Sequence, residues 1–126
     1  MGGMMSEEQI RIGLLGIGVI GGGVARNLQD REDAYAQQLG LRLRLHRVLE
    51  RDRWKAEGAG VDAAIVSDDA PTVLGDKTID IVIELLGGEH PAYDFIKEAL
   101  LSGRHVVTAN KEVMAKHGPE LLALAH

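Results

Sequence analysis

Cysteine is absent from this chain, and aromatic side chains are scarce: one tryptophan, two tyrosines and one phenylalanine. Without cysteine there is no disulfide framework and no thiolate metal site, and nothing points to secretion. With so few rings, the core must be built from leucine, valine, isoleucine and alanine. No apolar run approaches the length of a membrane span, and the N-terminus has no signal-peptide pattern. Positive charge is in deficit, with 14 Lys and Arg against 19 Asp and Glu, a net charge of −5. That balance argues against wholesale binding to nucleic acid or to an anionic membrane, and leaves room for a local basic pocket that takes a phosphate. The chain also lacks internal repeats, low-complexity segments and linkers. A cytoplasmic location is the expectation.

What the chain does have is apolar content of 45% and sixteen glycines grouped where turns are wanted. A length of 126 residues suits one domain with one core. Residues 1–9 read as a leader, and residues 10–126 as the domain. Residues 10–15 form a buried strand by composition. From Val19 a helix fits, with Ile20, Val24 and Leu28 on one face, running towards Gln38 and stopping at Gly40. "LRLRLHRVL" (41–49) alternates leucine and arginine before turning fully apolar, a strand half-exposed at entry and buried at exit. Residues 63–66 make a short strand, with a helical turn near Pro71–Leu74. Residues 79–86 are the clearest central strand. A helix starts at Pro91 with Tyr93, Ile96 and Leu100 inward, and Gly103 ends it. Residues 104–108 are a further strand. Asn110 caps a short helix that stops at Gly118, and Pro119 begins another. Strands alternating with helices in this way predict a Rossmann-type, doubly wound α/β fold, with a mainly parallel sheet and helices on both faces.

Gly16-x-Gly18-x-x-Gly21 falls between the first strand and the first helix, the context that a dinucleotide-binding turn requires. The first glycine permits the tight turn, the second lets a pyrophosphate approach the backbone, and the third lets helix and strand pack closely. The N–H groups that open the helix then offer a partial positive charge to the phosphates. No Gly-Lys-Ser/Thr follows, so a P-loop is excluded. A glycine-rich turn with no ligand is the alternative.

The residue that ends the second strand of such a fold reads the adenosine ribose. Here the segment is Glu50-Arg51-Asp52-Arg53. A carboxylate suits the ribose diol of NAD, and a guanidinium pairs with the 2′-phosphate of NADP. Both chemistries stand side by side and the choice stays open, with the local cluster of Arg51, Arg53 and Lys55 tilting it slightly to NADP. Two later strand ends are also unusual: "ELLGGEHP" (84–91) and "HVVTANK" (105–111). Lys111 would open a helix, where the macrodipole disfavours a cation.

Taken together, "GLLGIGVIGGGV", "VLERD", "DIVIELLGGEHPA" and "GRHVVTANKEVMAKHG" resemble the N-terminal cofactor domain of homoserine dehydrogenase, over roughly residues 10–126. The resemblance implies an oxidoreductase that interconverts L-homoserine and L-aspartate 4-semialdehyde with NAD or NADP, on the route to threonine, methionine and isoleucine. It implies a chain truncated before a substrate and dimerisation domain, inactive by itself, from a protein that is a homo-oligomer at full length. Carried over by residue, Gly16, Ile17, Gly18, Val19, Ile20 and Gly21 would hold and line the cofactor. Arg51 would meet the 2′-phosphate with Lys55 in support. Gly87 and Gly88 would pass beneath the nicotinamide ribose, and Lys111 would be the active-site lysine. Two departures stand out: Glu50 is acidic where the family often has an apolar residue, and His90 replaces a glutamate before the proline.

The remaining candidates read as structural. His46, His90, His105, His117 and His126 show no ligand spacing, so no metal site is expected. Glu84, at the end of a buried strand, reads as a satisfied structural carboxyl in preference to a pocket residue. Trp54 would cover adenine or pack on its own loop. Two other functions fit the same residues: a nucleotide-sensing module without catalysis, and a related amino-acid semialdehyde dehydrogenase.

Overall fold

The computed structural model describes residues 8–126. Most of the expected leader lies outside them, and Glu8 and Gln9 already belong to the first strand. Five strands form one sheet: β1 (Glu8–Leu15), β2 (Leu41–Leu49), β3 (Val66–Ser67), β4 (Ile81–Glu84) and β5 (His105–Thr108). Their order is β3-β2-β1-β4-β5 and every pairing is parallel. The chain therefore winds outward from β1 in one direction and then in the other. The reversal opens a crevice between the carboxyl ends of β1 and β4, where ligands of open α/β sheets bind.

Helices cover both faces, as the fold class requires. On one face α1 (Val19–Asp30) and α3 (Arg53–Gly58) bring Ala25, Leu28 and Ala56 onto Ile12, Leu14, Leu45 and Val48. On the other, α4 (Ala70–Leu74) and α5 (Ala92–Leu101) bring Val73, Leu74 and Ala99 onto Leu15, Leu49 and Val82. Leu14 and Leu15 are fully buried on opposite sides of the central strand. Each such side chain stabilises the fold by about 2–3 kcal/mol through burial alone. The last helix, α6 (Lys111–Ala125), packs against α5 through Ile96, Val113 and Leu121.

Strand β2 explains its mixed sequence pattern. Ile12 pairs with Leu45 but Gly13 pairs with Arg47, so His46 is an extra residue in the ladder. The resulting bulge shifts the side-chain phase by one position. Leu45 and Val48, three apart, thereby share one face of the sheet, where an unbroken strand would have set them on opposite faces.

Four expectations about elements change. The helix from Val19 breaks at Arg31 into α1 and α2 (Glu32–Leu39). Helix α2 buries no residue, so no packed face forces it to continue α1. Its first-turn acids Glu32 and Asp33 favour a fresh N-terminus and both meet Arg42. The strand read at 63–66 is a 3₁₀ turn over Ala63–Ile65 followed by a two-residue strand, because Asp62 caps the turn through Ala64 N–H. The central strand at 79–86 is confined to Ile81–Glu84, with single backbone bonds from Asp80 N–H to Arg11 and from Leu85 N–H to Leu15 beyond its ends. Gly118-Pro119 does not end a helix, and α6 runs through both. Beyond the proline, Leu121 is buried and Glu120 accepts from Tyr93 Oη and Lys97 Nζ on α5. Those contacts outweigh the one helical bond that proline removes.

Away from the crevice, Asp76 ties the loop before β4 to β2. Its carboxyl accepts from Thr78 N–H and Thr78 Oγ1 and meets Arg47 Nε and His46 Nε2. The Thr78 bonds, with Arg47 and His46 adding to them, hold its pKa well below the usual carboxylate range. A carboxyl stabilised in this way supports the fold above its unfolded-state value, near pH 4, and the support fades as pH falls below that. Between pH 5 and pH 2 the unfolding free energy of the chain is expected to fall, and Asp76→Asn is expected to flatten that dependence. Urea titrations of both proteins across this range measure it.

Candidate functional site

Three loops meet at the carboxyl ends of β1, β4 and β5. The first is the glycine turn. Gly16 has φ +95, a left-handed value that favours glycine, and its N–H bonds Leu49 carbonyl at 2.9 Å. A Cβ on Gly21 would drive into the Gly16 carbonyl oxygen, so the third glycine is a requirement of close approach. Gly18 has open space around the same position and begins α1 with no side-chain cap. No acidic residue sits in the first turn of α1. The opening N–H groups and the positive end of the helix dipole are thus presented outward, the arrangement that suits an anion. Val19 and Ile20 are exposed beside it, whereas the Ile17 side chain is buried in the core.

The second strand end shapes the neighbouring wall. Glu50 Oε1 accepts from Ile17 N–H at 2.7 Å and Oε2 from Asp52 N–H at 3.0 Å. The carboxyl thereby clamps the glycine turn to β2, a role its position alone did not reveal. Arg51 is exposed and, among the described residues, has no ion pair. It borders a cleft of about 570 Å³ shared with Glu50, Arg53, Ala56, Val61 and Ser67. Glu50 and Arg51 also border a smaller cleft, of about 320 Å³, with Leu86, Gly87 and Pro91 across from them. Lys55 is exposed on α3, and Trp54 beside it is 82% exposed.

The third wall is organised by Glu84. Its side chain is completely buried and accepts four hydrogen bonds. Leu86 N–H (2.9 Å), Gly87 N–H (3.3 Å) and Asn110 Nδ2 (3.4 Å) donate to Oε2, and Thr108 Oγ1 (2.5 Å) donates to Oε1. Asn110 also donates to Gly88 carbonyl at 2.7 Å and, through its side-chain oxygen, caps α6 at Val113 N–H. One carboxyl therefore fixes the Gly87–Gly88 loop, where both glycines have positive φ, and the start of α6. Lys111 is the first residue of α6, exposed, with no ion pair among the described residues. The glycine turn touches the same loop: a side chain on Gly16 would press on Leu85 and Leu86.

All the expected site residues thus fall on loops or helix starts at one edge of the sheet, apart from Lys55, which lies farther along α3. Sequence reasoning treated Glu84 as structural and named Asn110 only as a cap. It did not foresee that the pair joins the two loops. The signal was present as an acid ending an apolar strand and a Thr-x-Asn ending the next.

Beyond Gly88, Glu89 accepts from His117 and Lys116, and these two bonds pull its carboxyl down to about 2. A truncation at the buried junction should be costly. Glu84→Ala removes the acceptor of four hydrogen bonds and is expected to destabilise the chain by about 3 kcal/mol or more. Glu84→Gln keeps an oxygen for the backbone N–H groups and an amide for Thr108 to accept, and should cost about 1 kcal/mol. Urea unfolding of the two variants distinguishes them.

The comparisons agree with this geometry. The family model "Homoserine dehydrogenase, NAD binding domain" matches residues 16–126. Homoserine dehydrogenase from Bacillus subtilis is 39% identical over 118 residues, 94% of this chain and 27% of the relative. That from Neisseria gonorrhoeae is 37% identical over the same shares. A crystal structure of homoserine dehydrogenase from Thiobacillus denitrificans superposes with a TM-score of 0.84 at 38% identity, covering 94% of this chain and 27% of that one. A hyperthermophilic archaeal homoserine dehydrogenase in complex with NADPH shares the fold at a TM-score of 0.73 and 20% identity. The chain thus spans about a quarter of the length of the curated relatives it matches. No helix among the described residues is long and apolar enough to cross a membrane. From its motifs, its sheet order and these relatives, the chain belongs to the homoserine dehydrogenase family, as its NAD-binding domain.

Proposed function

We propose that this chain is the cofactor-binding part of an enzyme that interconverts L-homoserine and L-aspartate 4-semialdehyde, with the substrate-binding and dimerising regions lying outside it. The observation that carries the reading is the meeting of the uncapped glycine turn, the Gly87–Gly88 loop and, through Asn110, the start of α6 at the carboxyl edge of the sheet beside its switch point. Such an enzyme would be cytoplasmic, oligomeric, and part of threonine, methionine and isoleucine biosynthesis.

The residues fit a nicotinamide dinucleotide. Gly16 to Gly21 and the first turn of α1 would hold the pyrophosphate, and Gly87 and Gly88 would leave room for the nicotinamide ribose. The bound cofactor supplies the hydride exchange. Lys111 donates a hydrogen bond to the substrate oxygen, stabilising it where negative charge grows. The Glu84–Asn110 pair holds that lysine's helix start in register with the glycine loop. Exposed Val19 and Ile20 exclude water from the cofactor's apolar faces.

For the second phosphate position, we favour NADP. Both Glu50 oxygens already hold backbone N–H groups, whereas Arg51 stands exposed beside the cleft. A guanidinium there can pair bidentately with a 2′-phosphate. Titration with NADPH and with NADH, followed by Trp54 fluorescence and by calorimetry, should show tighter binding of NADPH. Arg51→Ala is expected to weaken NADPH by about tenfold or more and NADH far less. Equal losses would remove Arg51 from this role, and no binding of either cofactor would leave the glycine turn purely structural. The chain alone should not turn over homoserine. In a protein that also has the substrate-binding regions, Lys111→Ala should lower kcat by about a hundredfold while leaving cofactor affinity nearly unchanged.

A further inference from the structure

The loop after β4 carries two residues that the proposed reaction does not use. Glu89 and His90 face His117, which α6 brings alongside them. His117 Nε2 lies 2.7 Å from Glu89 Oε2, and His90 Nε2 lies 3.5 Å from the same oxygen. One ligand atom from each of the three lies within 4.8 Å of the other two. Sequence spacing conceals the group, because 28 positions separate Glu89 from His117.

We propose that Glu89, His90 and His117 form a binding site for a divalent metal ion of the zinc type, held by two imidazole nitrogens and one carboxylate oxygen. Two imidazoles with a carboxylate are a ligand set that borderline ions such as Zn²⁺ and Co²⁺ take, with further positions left to water.

The surroundings support the assignment in three ways. Asp94 Oδ2 lies 2.7 Å from His90 Nδ1 and accepts its N–H, which keeps the proton on Nδ1 and leaves Nε2 to present a lone pair towards Glu89. A carboxylate behind a histidine is the usual device that orients a metal-bound imidazole. Second, the ligand frame is braced: Tyr93 stacks on the His117 ring at 3.9 Å and meets the His90 ring edge-on at 5.7 Å. Both α5 and α6 are anchored beneath by Ile96, Val113 and Leu121. Third, the separations suit the ion. Bonds of about 2.0–2.1 Å in a tetrahedron set neighbouring ligand atoms about 3.4 Å apart. The His90–Glu89 pair already stands at that spacing. The His117–Glu89 hydrogen bond would open by a fraction of an ångström as the ion replaces its proton. Lys116 Nζ, at 2.9 Å, occupies the other carboxyl oxygen, Oε1, and so leaves Oε2 to the two histidines.

The test uses the chain without a histidine tag, titrated with Zn²⁺ by calorimetry and with Co²⁺ by visible absorption, in a non-chelating buffer. The site should take up one ion per chain, and Co²⁺ should show the bands of nitrogen-and-oxygen coordination. His90→Ala and His117→Phe should each weaken uptake by tenfold or more, the phenylalanine keeping the stack on Tyr93. Asp94→Asn should weaken it by about tenfold while keeping one ion per chain. His105→Ala, on β5, should change nothing. Circular dichroism checks that each variant is folded. Absence of saturable uptake, or uptake indifferent to His90 and His117, would overturn the assignment. Neither result bears on cofactor binding, which the nicotinamide titrations read separately.

Discussion

The site depends on a single buried carboxyl. Glu84 ends the strand beside β1 and gathers hydrogen bonds from its own following loop, from Thr108 at the end of β5 and from Asn110 at the start of α6. An acid with no solvent access is tolerated only when its oxygens are fully met, and here they are. The loop glycines can then keep their left-handed turns, and α6 begins at a fixed place. The geometry around Lys111 is thus decided by a residue that no ligand needs to touch. Glu50 performs the matching task on the other side, holding the glycine turn to the end of β2. Two acids, each turned towards backbone N–H groups, thus shape the crevice from its two sides.

The opposite end of the sheet is built differently. Arg104, buried before β5, donates to the carbonyls of Leu74, Asp76 and Ile79, and Asp76 in turn joins β2. Side-chain charge there serves stability. At the carboxyl ends of the strands, backbone groups and small residues dominate. This division lets the ligand loops remain open while the strand order is secured elsewhere.

Much of this was legible in the sequence. The glycine spacing between an apolar run and a helix face placed the first turn, and the apolar runs located four of the five strands, the reading at 63–66 meeting β3 only at Val66. The readings that changed share a cause. Where local preference competes with packing, neighbours that one sequence cannot display decide the outcome. Pro119 continues a helix because Tyr93 and Lys97 hold Glu120 beyond it. The polar stretch after Asp30 restarts because nothing is buried on its far side. Glu84, Thr108 and Asn110 were each visible as polar residues at strand ends. Their meeting required the parallel register of β4 and β5. The histidines showed no spacing because α5 and α6, not the chain, set their distance.

The bulge in β2 bears on how that strand can change length over evolution. His46 is an insertion relative to its partner, so the residues on either side already sit in the register that an unbroken ladder would give. Its loss would straighten the strand and leave every leucine and valine facing the side it faces now. An insertion or deletion at other positions has no such slack and would turn a run of apolar side chains outward. The strand thus carries one dispensable letter in an otherwise fixed reading frame. What would vanish with it is the imidazole beside Asp76, so the freedom to shorten β2 is bounded at the stabilising end of the sheet and not at the ligand crevice.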